Sequence, residues 1–165
     1  MTIKIGDKIP SITLKHLTAE GMQDLSTSSF FADKNVVLFA VPGAFTPTCS
    51  AKHLPGYVQA LEQFKALGIS IACLSVNDPF VMKAWSEAHK AEGITMLPDG
   101  NASLTKALGL DMDSSAYGMG TRSQRFALYA ENGIVKSLAV EKPGAFEVSS
   151  AEAMLAAISG LKKAA

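Results

Sequence analysis

Continuous apolar runs and apolar positions at helical spacing alternate along the first half of this chain. The runs Asn35–Ala40 (NVVLFA) and 69–76 (ISIACLSV) are typical of strands that are buried on both faces of a sheet. Between them, apolar residues recur every three or four positions and predict a helix over 49–67. Pro55 lies inside this pattern, and we expect it to kink or break the helix.

The second half of the chain continues with shorter elements. Its patterns predict, in order, a helix over 80–92, a strand over 94–97, a helix over 101–108, a hairpin of strands over 125–130 and 134–140, and a helix over 153–161. Asn77-Asp78-Pro79 is typical of an N-cap followed by proline, Gly109 of a C-cap, and Ser149 with Glu152 of a capping box. This order predicts one α/β domain over residues 1–165, with a mixed central sheet, helices on both faces and a thioredoxin-like architecture.

The composition is that of a globular protein and argues against several classes of function. Of the 165 residues, 48% are hydrophobic and 18% charged, with 15 basic and 15 acidic side chains. Without a basic field we expect no nucleic-acid partner, and without a long apolar segment we expect no membrane association. The N-terminal segment lacks the features of a signal or transit peptide, and two cysteines are too few for a disulfide framework. We therefore expect a cytoplasmic location.

One of the two cysteines lies in an unusual stretch, VPGAFTPTCSAKHLPGY, over residues 41–57. If a helix begins near Cys49, its thiol lies beside unpaired backbone N–H groups, and these donors favour the nucleophilic thiolate together with the helix dipole. The hydroxyl of Thr46 can reach the same place, and the ring of Pro42 can exclude water without offering an N–H donor. The stretch therefore favours a shielded, reactive sulfur.

Two other interpretations of Cys49 remain open at this point. A free cysteine often serves as a small buried hydrophobe. Cys49 and His53 could also bind a metal from one helical face, but metal sites usually need three or four ligands, so we expect no metal here. His53 can instead organise the helix or lie in solvent.

The spacing Pro42-x-x-x-Thr46-x-x-Cys49 resembles the active-site pattern of the peroxiredoxins, which are thiol peroxidases of the thioredoxin fold. Three longer blocks, FAVPGAFTPTCSAKHLPG, LSVNDPFVMKAW and GTRSQRFAL, are similar to the type II, or peroxiredoxin-5-like, branch of that family. The blocks lie in order over residues 39–128, and NGIVKSLAVE continues the similarity.

The resemblance implies a role for each matching residue. Cys49 matches the peroxidatic cysteine, which peroxide oxidises to sulfenic acid, while Thr46 and Pro42 match the residues that position and shield it. Arg125 matches the family's arginine, whose guanidinium would stabilise the charge that develops as the O–O bond breaks. Arg122 is a second candidate, but two arginines three apart on one strand would point to opposite faces, so at most one should face the sulfur.

Cys73 is the candidate resolving residue. Plant-like type II members carry a cysteine in the same strand, before the same Ser-Val-Asn-Asp. The apolar neighbours of Cys73 predict a buried thiol with poor access, so we expect an external thiol to recycle the enzyme. The animal-type alternative places its resolving cysteine near the C-terminus, and the matching region 146–150 contains none.

The sequence therefore predicts a peroxidase that reduces hydrogen peroxide and organic hydroperoxides through a cysteine sulfenic acid, without a cofactor. We expect glutathione with glutaredoxin, or thioredoxin, to supply electrons, and a homodimer formed through the block that holds Phe80, Met82 and Trp85. A disulfide oxidoreductase is disfavoured, because Thr46 stands where a C-x-x-C motif would need its first cysteine. A peroxide sensor or relay that passes oxidation to a partner is the alternative hypothesis.

Overall fold

The structure, a computed structural model, describes residues 1–164 of the chain. Its strands are β1 (Thr13–Thr18), β2 (Gly21–Ser26), β3 (Asn35–Ala40), β4 (Ile69–Ser75), β5 (Thr95–Pro98), β6 (Asp111–Asp113), β7 (Thr121–Ser123), β8 (Phe126–Glu131) and β9 (Ile134–Val140). Its helices are α1 (Thr27–Phe31), α2 (Leu54–Gln59), α3 (Leu61–Ala66), α4 (Pro79–Ala88), α5 (Ser103–Leu108) and α6 (Ala151–Ala164). A π-helical turn spans Cys49–His53, and a 3₁₀ turn spans Ser115–Tyr117.

The two apolar runs form the centre of a five-stranded sheet in the order β5-β4-β3-β8-β9. β3 and β4 are parallel, with Asn35 opposite Ile69, and β8 and β9 extend the sheet with antiparallel pairing. Both central strands are buried almost throughout, the exceptions being Asn35 and Ser70. This arrangement confirms the mixed α/β sheet that the sequence predicts, because a strand covered on both faces reads as a continuous apolar run.

Alternation along β3 divides the hydrophobic core between the two faces of the sheet. Phe39 packs into one cluster, which also holds Cys49, Tyr57 and Cys73. Its neighbour Leu38 packs into the cluster on the opposite face. Both cysteines therefore lie on the same side of the sheet, on the face covered by α2, α4 and α6.

The predicted helix over 49–67 is divided at two places. It consists of the π-helical turn, α2 and α3; the first division lies beside Pro55, and the second lies at Ala60, where φ is −89° and ψ is 1°. Pro55 lies where the π-helical turn passes into α2, so the helix changes its hydrogen-bond pattern beside the residue that lacks an N–H. The local break expected at Pro55 is therefore present as this change of helix type, and the separation of α2 from α3 at Ala60 was not predicted.

α4 begins as predicted but ends early. The carboxylate of Asp78 accepts a backbone N–H of the first turn, as the N-cap prediction requires. The helix ends at Ala88, short of the predicted end at residue 92. Lys90 adopts a left-handed conformation with φ of 53°, and the N–H of Ala91 then donates to the carbonyl of Ser86, which closes the helix without a glycine.

The N-cap of α6 lies one residue later than predicted. The hydroxyl of Ser150 accepts the N–H of Ala153 over 3.2 Å, so Ser150 and not Ser149 caps the helix. Ser149 donates its hydroxyl to the carboxylate of Glu141 instead. The capping box of Ser149 and Glu152 was therefore wrong, and Ser149 has a different partner.

Two small hairpins, β1-β2 and β6-β7, were not predicted. Most of their residues are exposed or half-buried, so neither shows the apolar alternation by which a strand is detected. The β6-β7 hairpin brings Arg122 close to the loop that precedes Cys49. Over residues 1–164, no helix is long and apolar enough to cross a lipid bilayer.

Candidate active site

Cys49 is the first residue of the π-helical turn that follows β3. In this turn the N–H of Leu54 donates to the carbonyl of Cys49, five residues earlier. In an α-helix the same N–H would donate to the carbonyl four residues earlier. The side chain of Cys49 is fully buried in the cluster that holds Phe39. Single π-helical turns are frequent at functional sites, so the backbone at Cys49 is itself a sign of function.

Arg125 places its guanidinium against the Cys49 sulfur. Its Nη2 group donates a hydrogen bond to Sγ over 3.1 Å. Strand pairing explains the proximity, because Ala40 at the end of β3 pairs with Phe126 at the start of β8. Arg125 precedes Phe126 and therefore lies at the end of the sheet from which the chain continues toward Cys49. A guanidinium in this position favours negative charge on the sulfur and on an oxygen bound beside it.

The second branch of the Arg125 guanidinium is held by His53. Arg125 Nη1 lies 2.8 Å from Nδ1 of His53, and Nε2 of the same ring lies 3.0 Å from the carbonyl of Ser149. An arginine can only donate and a carbonyl can only accept, so Nδ1 is unprotonated and Nε2 carries the proton. Burial, and after it the charge of Arg125, lower the pKa of His53 from 6.5 to about 3. His53 is therefore neutral at physiological pH.

Thr46 lies in the loop just before Cys49. Its hydroxyl donates to the carbonyl of Gly43 over 2.6 Å, and its own carbonyl accepts the N–H of Ser50. The sequence predicts that this hydroxyl can reach the sulfur but does not show which group receives its proton. Because its proton is used by Gly43, the oxygen is left as an acceptor.

Pro42 and Arg122 meet at the other side of the same loop. Arg122 donates from Nη1 to the carbonyl of Pro42 over 3.4 Å and from Nε to the carbonyl of Met119 over 2.9 Å. A Cβ atom at Gly43 would lie 3.0 Å from Arg122 Nη1, so a side chain at this position would displace the guanidinium slightly. Arg122 thus supports the loop, and of the two arginines Arg125 contacts the sulfur, as the sequence predicts. The reason differs from the one expected, because Arg122 lies in β7 and Arg125 precedes β8, so they do not share a strand.

A cavity of about 380 Å³ opens beside these residues. Its lining residues come from the Cys49 loop, strand β6, the connection between β7 and β8, and the segment after β9: Pro42, Thr48, Met112, Gln124, Arg125, Glu141, Lys142, Pro143, Gly144 and Ala145. Arg125 lines the cavity and also contacts the buried sulfur. A small molecule in this cavity would therefore contact Arg125, whose guanidinium contacts the Cys49 sulfur.

Cys73 lies on β4, opposite Phe39 of β3 and Met96 of β5. Both cysteines are free thiols, and both are buried in the same cluster. Complete burial raises the pKa of Cys73 well above its ordinary value, and the nearby Cys49 raises it further. The structure therefore agrees with the predicted burial of Cys73.

The segment after β9 is fixed over the site by Glu141. Its Oε2 atom accepts the backbone N–H groups of Glu147, Val148 and Ser149 at 2.8 to 2.9 Å and the hydroxyl of Ser149 at 2.7 Å. Partial burial acts to raise the pKa of Glu141, but these hydrogen bonds outweigh it and lower the pKa below its usual value. Sequence reasoning missed Glu141 and gave Ser149 a different role, because a carboxylate that binds backbone leaves no motif.

Metal binding has no support in the part of the chain that the structure describes. Across residues 1–164, no three His, Cys, Asp or Glu side chains lie close enough together to hold an ion. Both ring nitrogens of His53 are engaged, one by Arg125 and one by Ser149. The pair of Cys49 and His53 is therefore joined through Arg125.

Comparison with known proteins shows the family to which this geometry belongs. The family model described as Redoxin matches residues 4–155. The chain is 49% identical over 164 residues to "Peroxiredoxin-2E-2, chloroplastic" of Oryza sativa subsp. japonica, covering 95% of this chain and 73% of the relative. It is 42% identical to "Hybrid peroxiredoxin hyPrx5" of Haemophilus influenzae, covering 91% of this chain and 64% of that protein.

A solved structure shares the fold over nearly its whole length. The reduced Prx3 of Vibrio vulnificus, crystallised in complex with H2O2, superposes with a TM-score of 0.91 at 57% identity, covering 94% of this chain and 99% of that one. The mixed sheet and its flanking helices are thus the thioredoxin-like fold of these enzymes. The chain belongs to the peroxiredoxins, in their type II or peroxiredoxin-5-like branch, and is a thiol-dependent peroxidase.

Proposed function

We propose that Cys49 is the peroxidatic cysteine of this peroxidase and that Arg125 is its catalytic arginine. The observation that carries the proposal is the 3.1 Å hydrogen bond from Arg125 to the Cys49 sulfur at the edge of a cavity. A buried sulfur that accepts from a guanidinium is suited to react as the thiolate, which is the nucleophilic form.

The first step is an attack of the Cys49 thiolate on one oxygen of the peroxide. An S–O bond forms while the O–O bond breaks, and the leaving oxygen takes a proton and departs as water or an alcohol. The sulfur loses two electrons, the peroxide gains them, and Cys49 remains as sulfenic acid. Arg125 stabilises the thiolate before the step and the charge on the departing oxygen during it.

Thr46 and Pro42 complete the site. The hydroxyl of Thr46 donates to Gly43, so its oxygen is free to accept a hydrogen bond from the O–H of a bound peroxide. That contact would direct the proton-bearing oxygen of the peroxide toward the sulfur. Pro42 lines the cavity with an apolar ring and limits the access of water.

An external thiol regenerates the enzyme in this proposal. The thiol attacks the sulfenic acid, which releases water and forms a mixed disulfide, and a second thiol then restores Cys49. Glutathione with glutaredoxin, or thioredoxin, can supply both thiols. The burial of Cys73 supports an external source, because a packed thiol with a raised pKa attacks slowly.

The substrates in this proposal are hydrogen peroxide and organic hydroperoxides. A similar protein, the Vibrio vulnificus Prx3, was crystallised with H2O2. The cavity wall adds the apolar side chains of Met112, Pro143 and Ala145, which can pack against the alkyl group of a larger hydroperoxide. Room for such a group supports a substrate range beyond hydrogen peroxide.

We further propose a homodimer that forms near the site and acts in a cytoplasmic, reducing compartment. Phe80 and Phe45 are exposed by 64% and 55%, and a hydrogen bond of 3.0 Å between Ala44 and Asn77 links their two segments. Exposed aromatic side chains are typical of interface centres. Trp85 and Met82 are fully buried, so of the three large apolar side chains in this block Phe80 is the one available for the contact. A reducing compartment supplies the thiols that the cycle consumes.

A turnover assay tests the proposed function. Purified protein is given hydrogen peroxide in excess, with glutathione and glutaredoxin, and in parallel with thioredoxin and its reductase. Continuous consumption of peroxide is the expected result with at least one of the two systems. A sensor would consume about one equivalent per chain and then stop, which would contradict the proposal.

A further inference from the structure

His53 is bound to two groups on opposite sides of its ring, and neither carries negative charge. Arg125 donates to Nδ1 at 2.8 Å, and Nε2 donates to the Ser149 carbonyl at 3.0 Å. The ring is only 1% exposed and lies between Phe39 and Phe146, with centroid separations of 4.9 and 5.0 Å. Both its rotation and its tautomer are therefore determined by the surrounding contacts.

The guanidinium of Arg125 has no acidic partner among the described residues. The ion pairs found over residues 1–164 join lysine to aspartate or glutamate, and none includes Arg125. Glu141 lies nearby, with its backbone N–H donating to the Arg125 carbonyl, but its carboxylate forms no ion pair with the guanidinium among the described residues, and its Oε2 receives four hydrogen bonds from residues 147–149. A carboxylate on Nη1 would orient Arg125 equally well but would offset part of the positive potential that the guanidinium creates at the sulfur.

From this geometry we infer that His53 is a positioning residue that orients Arg125 toward the Cys49 sulfur while leaving the guanidinium charge undiminished. The inference rests on the proposed role of Arg125. The neutral ring accepts from Nη1, which directs Nη2 to Cys49. On the far side of the ring, Nε2 donates to the Ser149 carbonyl. The N–H and hydroxyl groups of Ser149 in turn donate to the Glu141 carboxylate. A chain of contacts therefore joins the reacting sulfur to the segment before α6.

Three substitutions at one position separate orientation from charge. His53→Asn keeps a neutral acceptor near the place of Nδ1, His53→Leu removes the acceptor, and His53→Asp is nearly the same shape as the Asn variant but negative. We expect the second-order rate of Cys49 oxidation by peroxide to stay within about threefold of wild type for Asn. We expect it to fall by about tenfold or more for Leu and for Asp, through lost orientation and lost charge respectively.

Tyr57→Phe is the matched control. Tyr57 donates to the same Ser149 carbonyl over 2.8 Å, packs on Phe39 and has no contact with Arg125 among the hydrogen bonds of the described residues. If His53 mattered only by fixing Ser149, Tyr57→Phe would slow peroxide reduction as much as His53→Leu. We expect it to leave the rate near that of wild type. Circular dichroism and thermal melting of each variant exclude misfolding as the cause.

The outcomes decide between the parts of the inference. A rate for His53→Asn as low as that for His53→Leu, or a rate for His53→Leu near wild type, would overturn the orienting role. Equal rates for the Asp and Asn variants would overturn the argument from charge. If His53→Asp does not fold, nitrogen NMR of the wild-type ring decides, and an imidazolium or a proton on Nδ1 at neutral pH would overturn it. If wild type itself did not react at Cys49, the proposed function would fail instead.

Discussion

The sulfur of Cys49 accepts a hydrogen bond of 3.1 Å from Arg125, a residue 76 positions further along the chain. The contact exists because β3 and β8 are neighbours in the sheet: Arg125 directly precedes Phe126, which pairs with Ala40, and the loop after Ala40 leads to Cys49. A cationic donor against a buried sulfur is the arrangement that peroxide reduction by a thiolate needs. The predictions below concern the two residues and the groups that hold them.

Arg125 and Arg122 should differ sharply in their effect on catalysis. Arg125→Lys should slow peroxide reduction by about tenfold or more, because lysine cannot present a planar fork to the sulfur and His53 together. Arg122→Lys should cost less than about threefold, since its contact with the Pro42 carbonyl is a long one at 3.4 Å. Stopped-flow oxidation of both variants gives the comparison. A larger loss in Arg122→Lys would mean that the catalytic arginine is misassigned.

His53 predicts how stability depends on pH. Its pKa is about 3 in the folded protein and 6.5 in the unfolded chain, so below pH 6.5 the unfolded chain binds a proton that the folded protein does not. Stability should therefore fall as the pH falls from 6.5 toward 3. At pH 5 the loss from this group is about 2 kcal/mol relative to pH 7.

The His53→Asn variant isolates that contribution. Asparagine does not titrate, so the free energy of unfolding of the variant should change less between pH 7 and pH 5 than that of wild type. Urea denaturation at the two pH values measures both changes. Glu141 contributes in the same direction, but its stabilisation is present above its ordinary pKa of 4.5 and is lost only at lower pH. The window from pH 7 to pH 5 therefore reports mainly on His53. Identical slopes for the two proteins would show that His53 is not buried as a neutral ring.

Cys73 should be dispensable when an external thiol is present. Its thiol is fully buried in the cluster beneath the site, and moving it to a sulfenic acid on Cys49 would disrupt packing and the π-helical turn. Cys73→Ser should therefore keep most of its activity with glutathione and glutaredoxin. Wild type oxidised without thiol should show little Cys49–Cys73 disulfide in a non-reducing peptide map. A dominant internal disulfide, with activity lost in the serine variant, would make Cys73 the resolving residue.

Phe80 should support the proposed homodimer. Its side chain is exposed by 64% in the first turn of α4, so Phe80→Ser removes apolar surface without disturbing the core. Wild type should sediment as a dimer at micromolar concentration, and Phe80→Ser should shift toward the monomer. Ile5→Ser is the control, because Ile5 is exposed by 62% in a different segment. A wild-type monomer at tens of micromolar would refute the dimer.

The parts of the fold that the sequence predicted well are the segments in which nearly every residue has the same degree of burial. β3 and β4 are buried on both faces, so their apolar runs predicted them almost to the residue. The π-helical turn was not predicted, because a shift of one hydrogen-bond partner changes no residue type. The break at Ala60 was not predicted either, because alanine favours helices and gives no sign of a helix end.

The sequence likewise predicted some parts of the candidate site and not others. Pro42, Thr46, Cys49 and Arg125 were identified because their spacing within blocks resembles a known family. The supporting contacts were not, because they join side chains to backbone over long separations, as from His53 to the carbonyl of Ser149, 96 residues away. A backbone carbonyl is present at every residue, so only the folded structure shows which one is used.

Mass spectrometry after a single turnover tests the central claim most directly. Reduced protein receives one equivalent of hydrogen peroxide, with and without glutathione, and its peptides are mapped alongside those of Cys49→Ser, whose fold we expect to be intact and whose turnover we expect to be lost. The account predicts one added oxygen on Cys49 without thiol and a glutathione mixed disulfide on Cys49 with it. Oxidation that falls first on Cys73 or a methionine, or peroxide turnover that persists in Cys49→Ser, would contradict it.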